Sequence, residues 1–160
     1  MTSRFASFLL ALALAALVAC GGGKGGTPTE TPPGSLPLPT VAGVPTTTSS
    51  GLQIIDIAAG VGPAAPPGSV VYVTYNGWLS DGTFFDTTTV DDGVTPLRLV
   101  LRQGLVLPGF VEGIPGMKVG GMRRLIVPPD LAYGAEGSGN AIPPNATLIF
   151  DIELVEIRSQ

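Results

Sequence analysis

The chain has 160 residues, 44% hydrophobic and only 12% charged, with a formal net charge of −4. That acidity argues against nucleic acid as a partner, because its phosphates would be repelled. Histidine is absent and Cys20 is the single cysteine, which removes Ser-His and Cys-His nucleophilic schemes, any internal disulfide and the usual ligands of a transition metal.

In chain order, residues 1–19 read as a secretory leader. Arg4 supplies the positive start, and Phe5 to Ala19 is apolar or small apart from Ser7, shorter than the roughly 20 residues of a comfortable membrane span. Leu17-Val18-Ala19-Cys20 resembles a bacterial lipobox. That resemblance implies a lipid anchor at Cys20, which would hold the mature protein on a membrane surface without a transmembrane helix. Gly21 stands where an inner-membrane retention signal would have aspartate. The expected location is therefore the bacterial cell envelope, facing the periplasm or the surface, with the outer membrane favoured. Residues 20–50 combine the lipidated cysteine with a Gly-, Pro- and Thr-rich stretch that lacks aromatics, and they predict a mobile tether. Its GGGKGG has neither the Ser/Thr nor the preceding strand of a phosphate loop.

Residues 51–160 read as the folded domain. Leu52 to Ile57 predicts a strand that ends in a turn cluster at Gly60–Pro67. Val70 to Leu79 is the clearest strand, with Val71, Val73 and Tyr75 on one side and Tyr72, Thr74 and Trp78 on the other. Trp78 is read as packing or surface. Asp81-Gly82 marks a hairpin turn into Thr83–Thr88, and Asp91-Asp92-Gly93 marks a loop. Leu97, Leu99 and Leu101 alternate with Arg98, Val100 and Arg102 as a half-buried strand. Leu107 to Met117 is the helix candidate, opened by Pro108 and stopped early by Gly113 and Pro115-Gly116. Gly121 to Val127 and Ala146 to Ile157 are the last strands, the second carrying Leu148, Phe150, Ile152 and Leu154 on one face and Asp151 and Glu153 on the other. Between them, Leu131 to Phe150 holds Tyr133, the glycines 134, 137 and 139, and Ile142-Pro143-Pro144, which read as a flexible loop between two rigid elements, one presenting Tyr133 and the other Ile142. Arg98, Arg102, Lys118, Arg123 and Arg124 read as a solvated face. Phe84, Leu148 and Ile152 read as core, and Phe150 as both core and contact. The fold class is α+β, a curved antiparallel sheet wrapped around one short α-helix.

From about Gly51 to Ile157 these pieces resemble the FKBP-type peptidyl-prolyl cis-trans isomerases. The matching motifs are Val73-Thr74-Tyr75-Asn76-Gly77 with Asp81-Gly82, Phe85-Asp86, Leu107-Pro108-Gly109-Phe110, and Gly116 to Gly121. Pro128-Pro129 with Leu131-Ala132-Tyr133-Gly134 and Ile142-Pro143-Pro144-Asn145-Ala146-Thr147-Leu148 complete the set, in family order and spacing. The last of these also explains the glycosylation-like Asn145-Ala146-Thr147.

Membership would imply an apolar pocket between sheet and helix that isomerises Xaa-Pro bonds of folding proteins outside the cytoplasm. It would need no cofactor and no metal, and would act as a monomer. By position, the catalytic set is Asp86, Tyr133 and Tyr75, and the substrate-binding set is Phe85, Leu97, Val106, Leu107, Phe110, Ile142 and Phe150. Asp86, among aromatics, would accept a hydrogen bond from Tyr75 or the peptide, Tyr133 would donate one, and Ile142 would form an apolar lip. Phe110 replaces the family's usual tryptophan, Leu97 a frequent aromatic and Arg102 a usual glycine, and the loop from Asp86 to Pro96 is longer than in compact members. Those departures keep a second reading alongside the first: a chaperone or proline-peptide binding module with little turnover.

Overall fold

The computed structural model describes residues 36–90 and 93–158. The strands are β1 (Thr46–Thr47), β2 (Gln53–Ala58), β3 (Val61–Ala64), β4 (Val70–Leu79), β5 (Phe84–Thr87), β6 (Thr89–Val90), β7 (Gly93–Val94) and β8 (Leu97–Val100). After helix α1 (Pro108–Gly113) come β9 (Lys118–Val119), β10 (Met122–Val127), a 3-10 turn at Pro129–Leu131, and β11 (Leu148–Arg158). The leader, Cys20, the start of the tether and the Asp91-Asp92 tip lie outside the described residues.

A seven-stranded antiparallel sheet runs β1-β2-β10-β11-β4-β5, and β8 shares the outer edge of β4. One end of β4 pairs with β8 (Val70↔Val100 to Val73↔Leu97) and the other with β5 (Asn76↔Thr87 to Trp78↔Phe84). Register shifts at Gly77/Trp78, Leu154/Glu156 and Met122/Arg123 bend the strands, as bulges do. The sheet therefore curves over α1.

The alternation of β11 explains the packing. Leu148, Phe150, Ile152 and Leu154 all lie at or below 3% exposure and face Val71, Val73, Leu125 and Val127 in one core with Phe110, Ile114 and Met117. The six-residue α1 comes close to β10 because two of its residues are glycines. A Cβ on Gly109 would sit 2.6 Å from a methyl of Val127, and one on Gly113 2.6 Å from a methyl of Leu125.

Three expectations change. The turn cluster at Gly60–Pro67 contains β3, paired with β9 through backbone groups while all four of its residues stay exposed. The five basic residues are not one solvated face. Arg124 is 6% exposed and forms a bidentate ion pair with Asp151 at 2.6 and 2.7 Å, and Arg123 reaches Asp56 and the carbonyls of Gly113 and Pro115. In such a pair each ion's attraction and hydrogen bonds offset part of the cost of taking the other out of water.

The third change concerns the tether, whose latter part is laid across the sheet's outer face, away from α1. The Trp78 indole donates to the Leu36 carbonyl at 2.7 Å, and Arg124 Nη1 donates to that of Pro39 at 2.8 Å. Gly43 approaches Ile55 so closely that a Cβ would lie 2.8 Å from it, and β1 then pairs with β2. Backbone carbonyls meeting fixed donors hold this strap along with the apolar contacts it makes, a contribution that a composition argument does not count. Trp78, 2% exposed, is buried beneath it rather than at the surface, and Phe84 packs edge-on against Trp78 at 6.0 Å instead of joining the main core.

Candidate active site

Where β4, β5 and β11 curve away from α1 they leave a cavity of about 200 Å³, lined by Tyr75, Phe85, Asp86, Leu97, Leu99, Leu105, Val106, Leu107, Phe110, Tyr133 and Phe150. Phe150 is its hub. That ring meets Phe110 at 4.8 Å, Tyr75 at 5.7 Å and Phe85 at 5.7 Å, each edge-on, and Tyr75 meets Phe110 at 6.2 Å. Edge-to-face packing sets positive ring edges against negative faces and makes a rigid apolar floor. Gly77 on β4 provides the space for it. A Cβ there would stand 2.9 Å from Phe85 Cζ and 3.1 Å from Phe150 Cε1.

The polar groups are few. The Tyr75 hydroxyl donates to Asp86 Oδ2 at 2.5 Å, and the Thr87 N–H donates to Asp86 Oδ1 at 2.8 Å. Burial first, and the Asp86 carboxylate second, push the Tyr75 phenol well above its ordinary value, so it stays protonated. Its one proton is committed to Asp86, which leaves Tyr75 only an acceptor toward anything in the cavity. Asp86 is exposed at the rim. Asp86 lines the cavity and accepts from Tyr75 as expected, but at an exposed rim, so its carboxylate is not buried among the aromatics.

Tyr133 follows the 3-10 turn, is 40% exposed, and lines the cavity. Among the described residues its hydroxyl has no hydrogen-bond partner. The loop beyond it is pinned: Gly137 N–H donates to the Tyr133 carbonyl, Asn145 N–H to that of Gly134, and Ser138 and Ile142 exchange both backbone bonds. Gly134, Gly137 and Gly139 have φ of 58°, 67° and 53°. These glycines serve left-handed turns in a folded-back loop.

Nine of the ten expected wall residues meet in the cavity, and Ile142 does not. Its backbone is held by Ser138 and its side chain, 5% exposed, enters the core. Leu99 and Leu105 were missed. Leu99 carried only a strand-alternation signal, while Leu105, 63% exposed, had no signal beyond its place next to Val106. Among the described residues no group of acidic or cysteine side chains could hold a metal ion.

Residues 62–155 match the family model described as FKBP-type peptidyl-prolyl cis-trans isomerase. Over 107 residues the chain is 46% identical to the FK506-binding protein of Neisseria meningitidis serogroup B, covering 67% of this chain and 96% of the relative. It is 42% identical over 108 residues to the peptidyl-prolyl cis-trans isomerase Fkbp12 of Drosophila melanogaster, covering 67% and 98%. Among solved structures, a peptidyl-prolyl cis-trans isomerase of Pseudomonas syringae pv. tomato superposes with a TM-score of 0.63 at 32% identity, over 72% of this chain and 81% of that one.

Proposed function

This chain belongs to the FKBP-type peptidyl-prolyl cis-trans isomerase family and is a peptidyl-prolyl cis-trans isomerase, and on that premise we propose how its cavity turns an Xaa-Pro bond and where it does so. Amide resonance sets a barrier near 18–20 kcal/mol, and unaided isomerisation takes tens to hundreds of seconds. Nothing has to be protonated or cleaved, so a site without histidine is sufficient. Phe85, Val106, Leu107, Phe110 and Phe150 hold the proline ring out of water. Twisting the bond moves charge off the dipolar planar amide, and an apolar surrounding disfavours the planar form more than the twisted one. Tyr133 donates to the substrate carbonyl as it turns, a bond strongest in the twisted state. Asp86 is a positioning residue that fixes Tyr75 as a wall. A thousandfold acceleration needs only about 4 kcal/mol.

The observation that carries this reading is the unpartnered Tyr133 hydroxyl beside a closed aromatic floor. Its test is the cis-to-trans rate of an Xaa-Leu-Pro peptide with the purified protein. Acceleration well above background is expected. A background rate from folded protein would overturn the reading and leave a proline-peptide holder with little turnover.

Location is proposed from the leader alone. The protein acts as a monomer on clients outside the cytoplasm, lipidated at Cys20 and anchored in the bacterial envelope, the outer membrane favoured. A Cys20→Ala variant should leave the membrane fraction. Retention there would exclude the lipid anchor.

A further inference from the structure

The strap over the sheet's outer face is held in an unusual manner. Leu36, Pro37 and Pro39 are exposed and Leu38 is half-buried, so only modest apolar area fixes the segment. What holds the segment is its carbonyl groups: Leu36 accepts from the Trp78 indole and Pro39 from Arg124. Both donors are set in place by the domain rather than by the strap. Trp78 lies within β4 against Phe84, and Arg124 is clamped by both Asp151 oxygens. Beside the strap there remains a cavity of about 420 Å³, bounded by Thr74, Asn76, Trp78, Met122 and Glu153. The active-site cavity shares only Tyr75 with it and lies on the other side of the sheet.

Fixed donors beside an aromatic ring select extended chain rich in proline. Proline restricts φ and has no N–H, so such a chain keeps its carbonyls turned outward and loses little freedom on docking. The prolines hold the segment extended and Leu38 adds a half-buried apolar contact, so the site reads a chemical class, extended Leu- and Pro-rich chain, rather than one sequence. A segment with few buried contacts also opens at low cost.

We propose that the outer face is a second peptide-binding site for extended proline-rich segments. It is occupied in cis by Leu36-Pro37-Leu38-Pro39 and open to a like segment of a client polypeptide when the strap lifts. The enzyme would thereby grip a proline-rich client on one face while the cavity on the other turns a nearby bond.

Trp78 is the sole tryptophan, so its fluorescence reports on this face alone. The experiment uses the full chain in mild detergent, with Leu36→Gly, Pro37→Ser, Leu38→Gly and Pro39→Ser releasing the strap. Emission should move to longer wavelength, then return saturably on adding the peptide Ser-Leu-Pro-Leu-Pro-Thr, and not with an analogue carrying alanine for both prolines. Isomerase rate should stay within about twofold, which separates this site from the cavity. Unchanged emission on release, or no recovery with peptide in a folded variant, overturns the proposal. The unmodified chain gives a second reading that needs no variant. At concentrations of an isotope-labelled copy of the peptide above the roughly millimolar effective concentration of a tethered segment, a nuclear Overhauser contact between the Trp78 indole and the peptide should appear, and its absence overturns the proposal as well.

Discussion

Gly77→Ala adds one methyl group at the back of the catalytic cavity, and its effect can be worked from distances. Gly77 has no positive φ, so alanine fits the backbone and the change is one of crowding. The new carbon would stand 2.9 and 3.2 Å from two atoms of Phe85 and 3.1 Å from Phe150, where carbon contacts prefer about 3.5–4.0 Å. Phe150 is 3% exposed and braced by three rings, so it cannot yield. Phe85 is half-buried with cavity space before it, so it must recede into the proline site by about 0.6 Å or more. Overpacking of this kind costs about 1–3 kcal/mol, or roughly 4–12 °C in Tm. A misplacement of about 1 Å costs on the order of a hundredfold in rate, so kcat/KM should fall at least about tenfold. The assay is kcat/KM on a Leu-Pro peptide well below the variant's Tm, beside a thermal melt. A folded variant within twofold of wild type would refute the placement of Phe85 in the substrate's path.

Asp151→Asn leaves Arg124 charged and without its ionic partner, and should cost about 3–5 kcal/mol in denaturant unfolding, while kcat/KM of the folded fraction stays unchanged. For Tyr75 the sign follows from its raised value. Below the ordinary phenol value near 10 both folded and unfolded chains hold the proton, and its contribution to stability is fully present. As pH rises above about 10 the unfolded chain ionises first, so the contribution declines until the folded phenol also ionises. Titration of phenolate absorbance should show one group ionising later than the rest, absent from Tyr75→Phe; a difference spectrum at the ordinary value would contradict this. Asp86→Ala, at an exposed rim position, should lower kcat several-fold with little change in peptide binding, since it frees Tyr75 rather than removing floor. Equal losses in both would point to a simple receptor.

How much of this was legible in the chain differs by the kind of contact. β11 and β4 were readable because a sheet with one buried face writes its period of two into Leu148, Phe150, Ile152 and Leu154. Tyr75, Phe85, Phe110 and Tyr133 were readable because their motifs recur in family order. The strap was not, since backbone carbonyls at Leu36 and Pro39 make its contacts and side-chain patterns record none of them. The burial of Arg124 depends on a partner 27 residues away, Asp151, which only strand register brings opposite. Ile142 packs in the core with Phe110 and Phe150 outside the cavity lining, and its backbone pairing with Ser138 has no signature in residue type. β3 escaped because all of its residues stay exposed, so its pairing with β9 writes no alternation into the sequence.

The central claim is that an apolar cavity and one free hydroxyl suffice for turnover. Tyr133→Phe tests it most directly, because the hydroxyl has no partner among the described residues and its loss leaves nothing buried unsatisfied. Measured side by side with wild type on one Leu-Pro peptide, the variant should keep its Tm and lose roughly fivefold to tenfold in kcat/KM, the worth of one hydrogen bond of about 1–1.5 kcal/mol. An unchanged kcat/KM would contradict the account.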